Sequence, residues 1–189
     1  MTVLLGVVAL GLLAGVVAVL LPKDLSGIAG YPAKSLLEGG AESRNLLEET
    51  QAILFQPGES VEFSEEEFND YLNARLGGEQ KGLMGSFITF EGIYADVEPD
   101  TVEFFVERKI FGMPTTMSTR LRLEYFRGLP RWEGAGGTIG KINLSSKQLQ
   151  PIVEAFTRVL GACRDEALAL QHIASIRFEK DKVVLATTL

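Results

Sequence analysis

Few residues in this chain have the types and spacing that chemistry needs. The run Gly134-Ala135-Gly136-Gly137-Thr138-Ile139-Gly140-Lys141 has the glycine density of a loop whose backbone N–H groups could cradle phosphate. It departs from both phosphate patterns. A P-loop places Gly where Ala135 stands and Ser or Thr where Ile142 stands, and a dinucleotide fingerprint places Gly where Ile139 stands. The run therefore reads as a strand of small residues across which something large packs. His172 is the single histidine and, next to Ile173, reads as a structural residue rather than a base. Cys163 is the single cysteine, which excludes an internal disulfide, and it reads as a small buried apolar side chain. Glu65-Glu66-Glu67 would suggest a cation site only with the alternating Asp/Asn of a calcium loop, which the flanking sequence lacks. Neither zinc-ligand spacing nor a GxSxG elbow is present. The expectation is a non-enzymatic protein with no metal, no cofactor and no catalytic residues.

Apolar surface is what remains for a site. Phe104 and Val106, then Leu121, Leu123 and Tyr125, recur at strand period, while Ile152 and Phe156 fall one helical turn apart. A sheet packed on a helix would line a groove with these side chains, suited to lipid or another apolar ligand. The same residues would equally fill an ordinary core.

The elements that position them follow from periodicity. Leu46, Leu47, Ile53 and Leu54 mark a helix from about Glu42 to Phe55, ended by Gln56-Pro57-Gly58. In Phe63-Ser64-Glu65-Glu66-Glu67-Phe68, Ser64 can cap a second helix while Glu67 reaches back to the Ser64 amide, and Phe63 and Phe68 form a hydrophobic staple. Its acidic first turn suits the helix dipole, and Gly77-Gly78 stops it. From Ser86 the period changes to two. Strands are expected over Phe87 to Val97 with a parity switch at Gly92, and over Val102 to Phe111 with both faces covered. Two more are expected over Thr116 to Tyr125, one face core and one wet, and over the glycine-rich Trp132 to Leu144. A helix from about Ser146 to Leu160 and a hairpin of Ile173 to Phe178 with Val183 to Thr188 close the chain. Short turns make neighbouring strands antiparallel.

Ahead of all this lies Thr2 to Leu21, a run without a charged side chain. About 20 apolar residues make a helix as long as the bilayer's hydrocarbon core is thick. The expectation is a transmembrane anchor over residues 1–22. The rival is a cleaved signal peptide, with Gly27 and Ala29 at permissive spacing, though the run is long and no Lys or Arg precedes it. Gly11 and Gly15 form a GxxxG pair. Pro22, Gly27, Gly30 and Pro32 make residues 23–41 a linker, leaving 42–189 as one domain.

The chain's 189 residues carry a formal charge of -7. With a pI near 4.9, this argues against nucleic acid and against a polybasic lipid-binding patch. The fold class expected is α+β, a curved antiparallel sheet packed against two or three helices and preceded by one transmembrane helix.

The order of parts resembles the YpmS-like family of membrane-anchored bacterial proteins. The resemblance rests on an apolar amino-terminal helix, a linker, the Phe63-Ser64-Glu65-Glu66-Glu67-Phe68-Asn69 helix start, strands around Lys109-Ile110-Phe111-Gly112, the Gly140-Lys141-Ile142 strand end, a helix and a closing hairpin. It covers about Val61 to Thr188, and the acidic pI and the paired Gly136 and Gly137 depart from it. The resemblance implies a domain outside the cytoplasmic membrane and a fold like those that hold acyl chains, with no catalytic residues to carry over. Lys23 by the positive-inside rule would keep the domain cytoplasmic, but the resemblance outweighs it, and the expectation is an extracytoplasmic domain. The functional expectation is lipid or apolar-ligand binding in a membrane-anchored protein. The alternative is an interaction or scaffold module that positions a membrane-protein partner.

Overall fold

A computed structural model describes residues 7, 10, 11, 14, 15, 17–33, 44–76, 88–126, 129–149 and 163–187. The fold is mixed α and β. In order, the elements are α1 (Leu46–Leu54), β1 (Ser60–Ser64), α2 (Glu65–Leu76), β2 (Ile88–Glu98), β3 (Thr101–Ile110), β4 (Met113–Phe126) and β5 (Leu129–Ile139). They continue with β6 (Ile142–Leu144), α3 (Arg164–Leu170), β7 (Ser175–Glu179) and β8 (Lys182–Ala186). The strands form two antiparallel sheets rather than one, a five-stranded meander β2-β3-β4-β5-β6 and a three-stranded sheet β1-β8-β7. Sequence reading misses β1 because five residues, of which only Val61 and Phe63 are apolar, carry too little alternation to register. It also runs β5 and β6 together, where Gly140 at φ 54° turns the chain.

The parity switch expected at Gly92 is present as a register shift between Phe90 and Gly92. It brings Ile93, Ala95 and Val97 onto the face where Val102, Val106 and Leu123 pack in the main core with α1, α2 and the small sheet. The expected capping box is also present. The Ser64 N–H donates to Glu67 Oε2 at 2.9 Å, and the Glu67 N–H donates to Ser64 Oγ at 3.3 Å. Both staple residues, Phe63 and Phe68, belong to the main core.

Helix α2 does more than cover the sheet. β2 is an edge strand, and its outward backbone groups are paired by side chains from one stripe of α2. The Val97 N–H donates to Glu65 Oε2 at 2.7 Å and the Ala95 N–H to Asn69 Oδ1 at 2.6 Å. The Ile93 N–H donates to Asn73 Oδ1 at 2.8 Å. In return Asn69 Nδ2 donates to Ala95 O at 3.0 Å and Asn73 Nδ2 to Ile93 O at 2.6 Å. Four helical residues rise about 6.0 Å and two strand residues about 6.6 Å. The i, i+4, i+8 series 65, 69, 73 therefore keeps step with 97, 95, 93, and the open edge is closed without another strand. Glu65, in the acidic first turn of α2, is consequently buried.

The other face of the large sheet carries a second small core. Residues 22–33, where a linker is expected, lie across it. Leu25, Ile28 and Ala33 are buried there with Tyr94 and Phe105, and Tyr31 packs on Tyr94. The backbone is tied down as well. The Lys23 N–H donates to Thr116 Oγ1 at 2.7 Å, the Ala29 N–H to Glu65 Oε1 at 2.7 Å, and Asn69 Nδ2 to Ala29 O at 2.8 Å. The prolines and glycines of this strap shape it against the sheet instead of freeing it. In consequence the face of β4 expected to be wet is dry at Thr116 and Ser118, and turns to solvent only at Arg120, Arg122 and Glu124. Residues 34–41 of the expected linker lie outside the described residues, as does the helix expected beyond Leu149.

Of the apolar first stretch, Val7, Leu10, Gly11, Ala14, Gly15 and residues 17–20 are helical, Leu21 lies in a bend, and the others lie outside the described residues. No helix among the described residues is long and apolar enough to cross a membrane. The helical stretch ends against the β5–β6 turn. Lys141 N–H donates to Ala18 O at 3.0 Å, supplying a partner for a carbonyl that a helix end leaves open. A Cβ at Gly140 would meet Val19 O at 2.3 Å, so glycine is required there by both contact and φ.

Candidate functional site

The main core is not solid. Between the two sheets and the helices lies a half-enclosed cavity of about 140 Å³. Leu46 and Leu47 of α1, Phe68 and Tyr71 of α2, and Ala169 and Leu170 of α3 form one side. Phe63, Ile176, Phe178, Val183 and Leu185 of the small sheet, with Phe104 and Trp132 of the large one, form the rest. The wall exists because α1 and α2 lay their apolar stripes toward both sheets while Phe104 and Trp132 point inward from β3 and β5. Phe68 and Phe104 meet edge to face at 6.4 Å between ring centres, and Trp132 and Phe178 at 5.5 Å. Trp132 lines the space while 42 % exposed, so it forms part of the rim.

One corner is polar. The Tyr71 hydroxyl donates to Glu166 Oε1 at 2.6 Å, and Arg75 Nε donates to the same oxygen at 3.3 Å. Burial and the Glu166 carboxylate push the Tyr71 phenol well above its ordinary value, so it remains a donor. Glu166 Oε2 is buried with no hydrogen-bond partner among the described residues. Thr50 also lines the cavity, with its hydroxyl turned to Leu46 O at 2.7 Å. The cavity is thus a hydrocarbon-lined space with a single unanswered acceptor at its edge.

Of the residues expected to line an apolar groove, Phe104 is in this wall. Val106 and Leu123 lie on the same face of the sheet but are buried in the solid part of the core. Leu121 is half-buried on β4 opposite Val102. Tyr125 belongs to β4, but its side chain lies outside the described residues, as do Ile152 and Phe156. Sequence reading missed the contributions of α1, β1, α3 and the terminal hairpin. The recoverable signal was the staple pair Phe63 and Phe68, since both residues line the cavity.

Other candidates resolve differently. Gly136 and Gly137 lie in β5, and a Cβ at Gly137 would meet Ser118 O at 2.2 Å and Leu149 Cδ1 at 2.9 Å. The glycine-rich run is there for close packing. His172 is exposed in the turn after α3, and Cys163 is half-buried against the main core. Among the described residues no group of His, Cys, Asp and Glu is arranged to hold a metal ion.

A charge network centred on the buried Glu103 occupies the strap side of the large sheet. Glu103 accepts from Ser118 Oγ at 2.5 Å and from Arg120 through both Nε and a terminal nitrogen, with Lys23 Nζ 3.9 Å away. Ser118 Oγ also accepts from the Thr138 N–H at 2.8 Å. Every polar member has a protein partner, which makes this a structural network rather than a reactive one.

Around the strap, burial raises the carboxyls of Glu65, Asp96 and Glu107 above their ordinary values, with neighbouring acids adding to it. Hydrogen bonds to Glu65 from Val97 and Ala29, and to Glu107 from Tyr31, oppose the shift without cancelling it. A carboxyl raised on folding binds its proton more tightly in the native state. Its stabilisation is complete below the ordinary value of 3.8 for Asp or 4.5 for Glu and is lost as pH rises through the folded value. Glu67 works the other way: although burial pushes it up, Ser64 and Arg44 hold it low, so its contribution is lost only in stronger acid. Thermal melts from about pH 8 to about pH 4 should therefore show stability rising on mild acidification before it falls. A melting temperature that climbed steadily to neutral pH would contradict the burial of these acids.

No family model, curated protein or solved structure matches this chain.

Proposed function

We propose that this is a non-enzymatic, membrane-anchored protein whose extracytoplasmic domain holds the apolar part of an amphipathic ligand next to its head. The observation that carries the reading is the cavity of about 140 Å³ with its aromatic and aliphatic walls. Apolar cavities of about 150 Å³ stay dry and accept a benzene-sized guest. Ligand pockets for whole drug-sized molecules run to about 300–1,000 Å³. The space therefore takes a single ring or the few carbons beside a polar head, with the rest of the chain passing the Trp132 rim. The anchor would be the apolar run Thr2 to Leu21, whose described residues up to Leu20 are helical and expose Val7, Leu10 and Val17.

The polar corner selects the head. Glu166 Oε2 needs a donor, so a hydroxyl or amine suits it and a fatty-acid carboxylate meets like charge. The test is detergent-free extraction of the purified protein with mass spectrometry of what it carries, followed by competition between long-chain alcohols or amines and the matching acids. An alcohol or amine should bind about tenfold more tightly than the acid, the worth of one buried hydrogen bond to a charged group. Glu166→Gln, which removes the charge, should narrow that gap. An empty protein that took up none of these chains would overturn the reading.

A further inference from the structure

The tip of the β3–β4 hairpin is apolar and turned outward. Its sequence is Ile110-Phe111-Gly112-Met113-Pro114, with Phe111 71 % exposed and Met113 47 % exposed. Ile110 pairs with Met113, leaving a two-residue loop that holds Phe111 at φ 51° and Gly112 at φ 78°. Such loops favour Asn, Asp or Gly at the first position, because an L side chain at positive φ crowds its own backbone. A bulky aromatic there is unfavourable for the turn and unfavourable in water.

Ile139 of β5 pairs with Met117 of β4, so the Gly140-Lys141 turn lies at the same end of the large sheet as the hairpin tip. Gly140 N–H donates to Thr116 O at 2.8 Å, which fixes that level on β4. Met113 lies three residues further along the strand, so the tip projects about 10 Å past the turn. The amino-terminal helical stretch ends on that same turn, through the Ala18 carbonyl bonded to Lys141. Apolar residues of the helix and apolar residues of the hairpin are thus gathered at one end of the molecule. Lys109 and Lys141 are exposed nearby, Lys109 paired with Glu91 at 2.7 Å, and their stems can lie along apolar surface with the ammonium group in water.

We propose that Phe111 and Met113 insert into the lipid surface that holds the amino-terminal helix, so that the domain touches the bilayer at two points. Two points set an orientation that one helix cannot. The inference rests on the membrane-anchor reading given above, and the experiment separates the two.

The full chain is reconstituted into vesicles of phosphatidylethanolamine and phosphatidylglycerol carrying nitroxide-labelled lipid. The wild-type chain has one tryptophan, Trp132, and serves as the reference for Phe111→Trp. The expected result is that the chain floats with the vesicles and that the added tryptophan emits at shorter wavelength. Labels at shallow acyl positions should quench it at least twofold more than they quench the wild-type chain. A variant that floats but whose added tryptophan is quenched by aqueous iodide and not by labelled lipid overturns the hairpin contact and leaves the anchor standing. A chain that does not float overturns both.

Discussion

Asn69→Ala should lower the unfolding free energy by about 3 kcal/mol or more, the largest stability loss expected from one polar substitution in this fold. The amide of Asn69 answers three backbone groups at once, the Ala95 N–H, the Ala95 carbonyl and the Ala29 carbonyl. Alanine at this position would leave the two Ala95 groups buried and unpaired on an edge strand. Each such group costs about 1–3 kcal/mol, while the half-buried Ala29 carbonyl can turn to water. Asn69→Asp should be no milder, since a carboxylate replaces a donor facing two carbonyl oxygens. For a chain of this size the loss corresponds to a fall of about 6–12 °C in melting temperature. Denaturant unfolding should show a lower midpoint at unchanged slope, and amide exchange should show the Ala95 N–H losing more protection than central-strand amides. A change within about 0.5 kcal/mol, the range of an ordinary surface substitution, would mean the side chain does not hold the edge.

That stripe marks where sequence reading of this chain stops. Local chemistry was legible. Ser64 and Glu67 cap α2 as their spacing requires, the parity switch at Gly92 is a real bulge, and the alternation of β3 and β4 places Val102, Val106 and Leu123 inward. These features depend on residues within a few positions of one another, so they survive whatever the chain does elsewhere. What was not legible depends on pairings distant in sequence. Asn69 and Asn73 look like ordinary polar helix residues until β2 is known to be an edge. Pro22, Gly27, Gly30 and Pro32 look like a linker until the dry patch around Tyr94 and Phe105 is known to need covering. Glycine and proline break regular structure, but a segment without regular structure can still be pinned by burial and hydrogen bonds. The cavity follows the same rule. Composition announced an excess of large apolar residues, yet whether they meet or leave a gap depends on how α1, α3 and the terminal hairpin approach from opposite ends of the sequence.

Whether that gap is a container can be decided by filling it. Ala169 is buried on α3 with its methyl group in the cavity wall. Ala169→Phe adds a ring, and a cavity of about 140 Å³ is close to the size that admits benzene. If the space is a binding site, the new ring occupies the seat of the ligand's apolar part, and affinity for a long-chain alcohol should fall at least about tenfold. The folded state should not suffer in proportion. The ring enters space that is already open and buries apolar surface at about 25 cal/mol per Å², whereas the same enlargement in a filled core costs about 1–3 kcal/mol. The two measurements have to be read together. Lost binding with a melting temperature equal to or above that of the parent identifies a container that has been plugged. Retained binding in a stable variant shows that the ligand sits elsewhere, and a marked loss of stability shows that the walls close on Ala169 in solution and that the cavity was packing space all along.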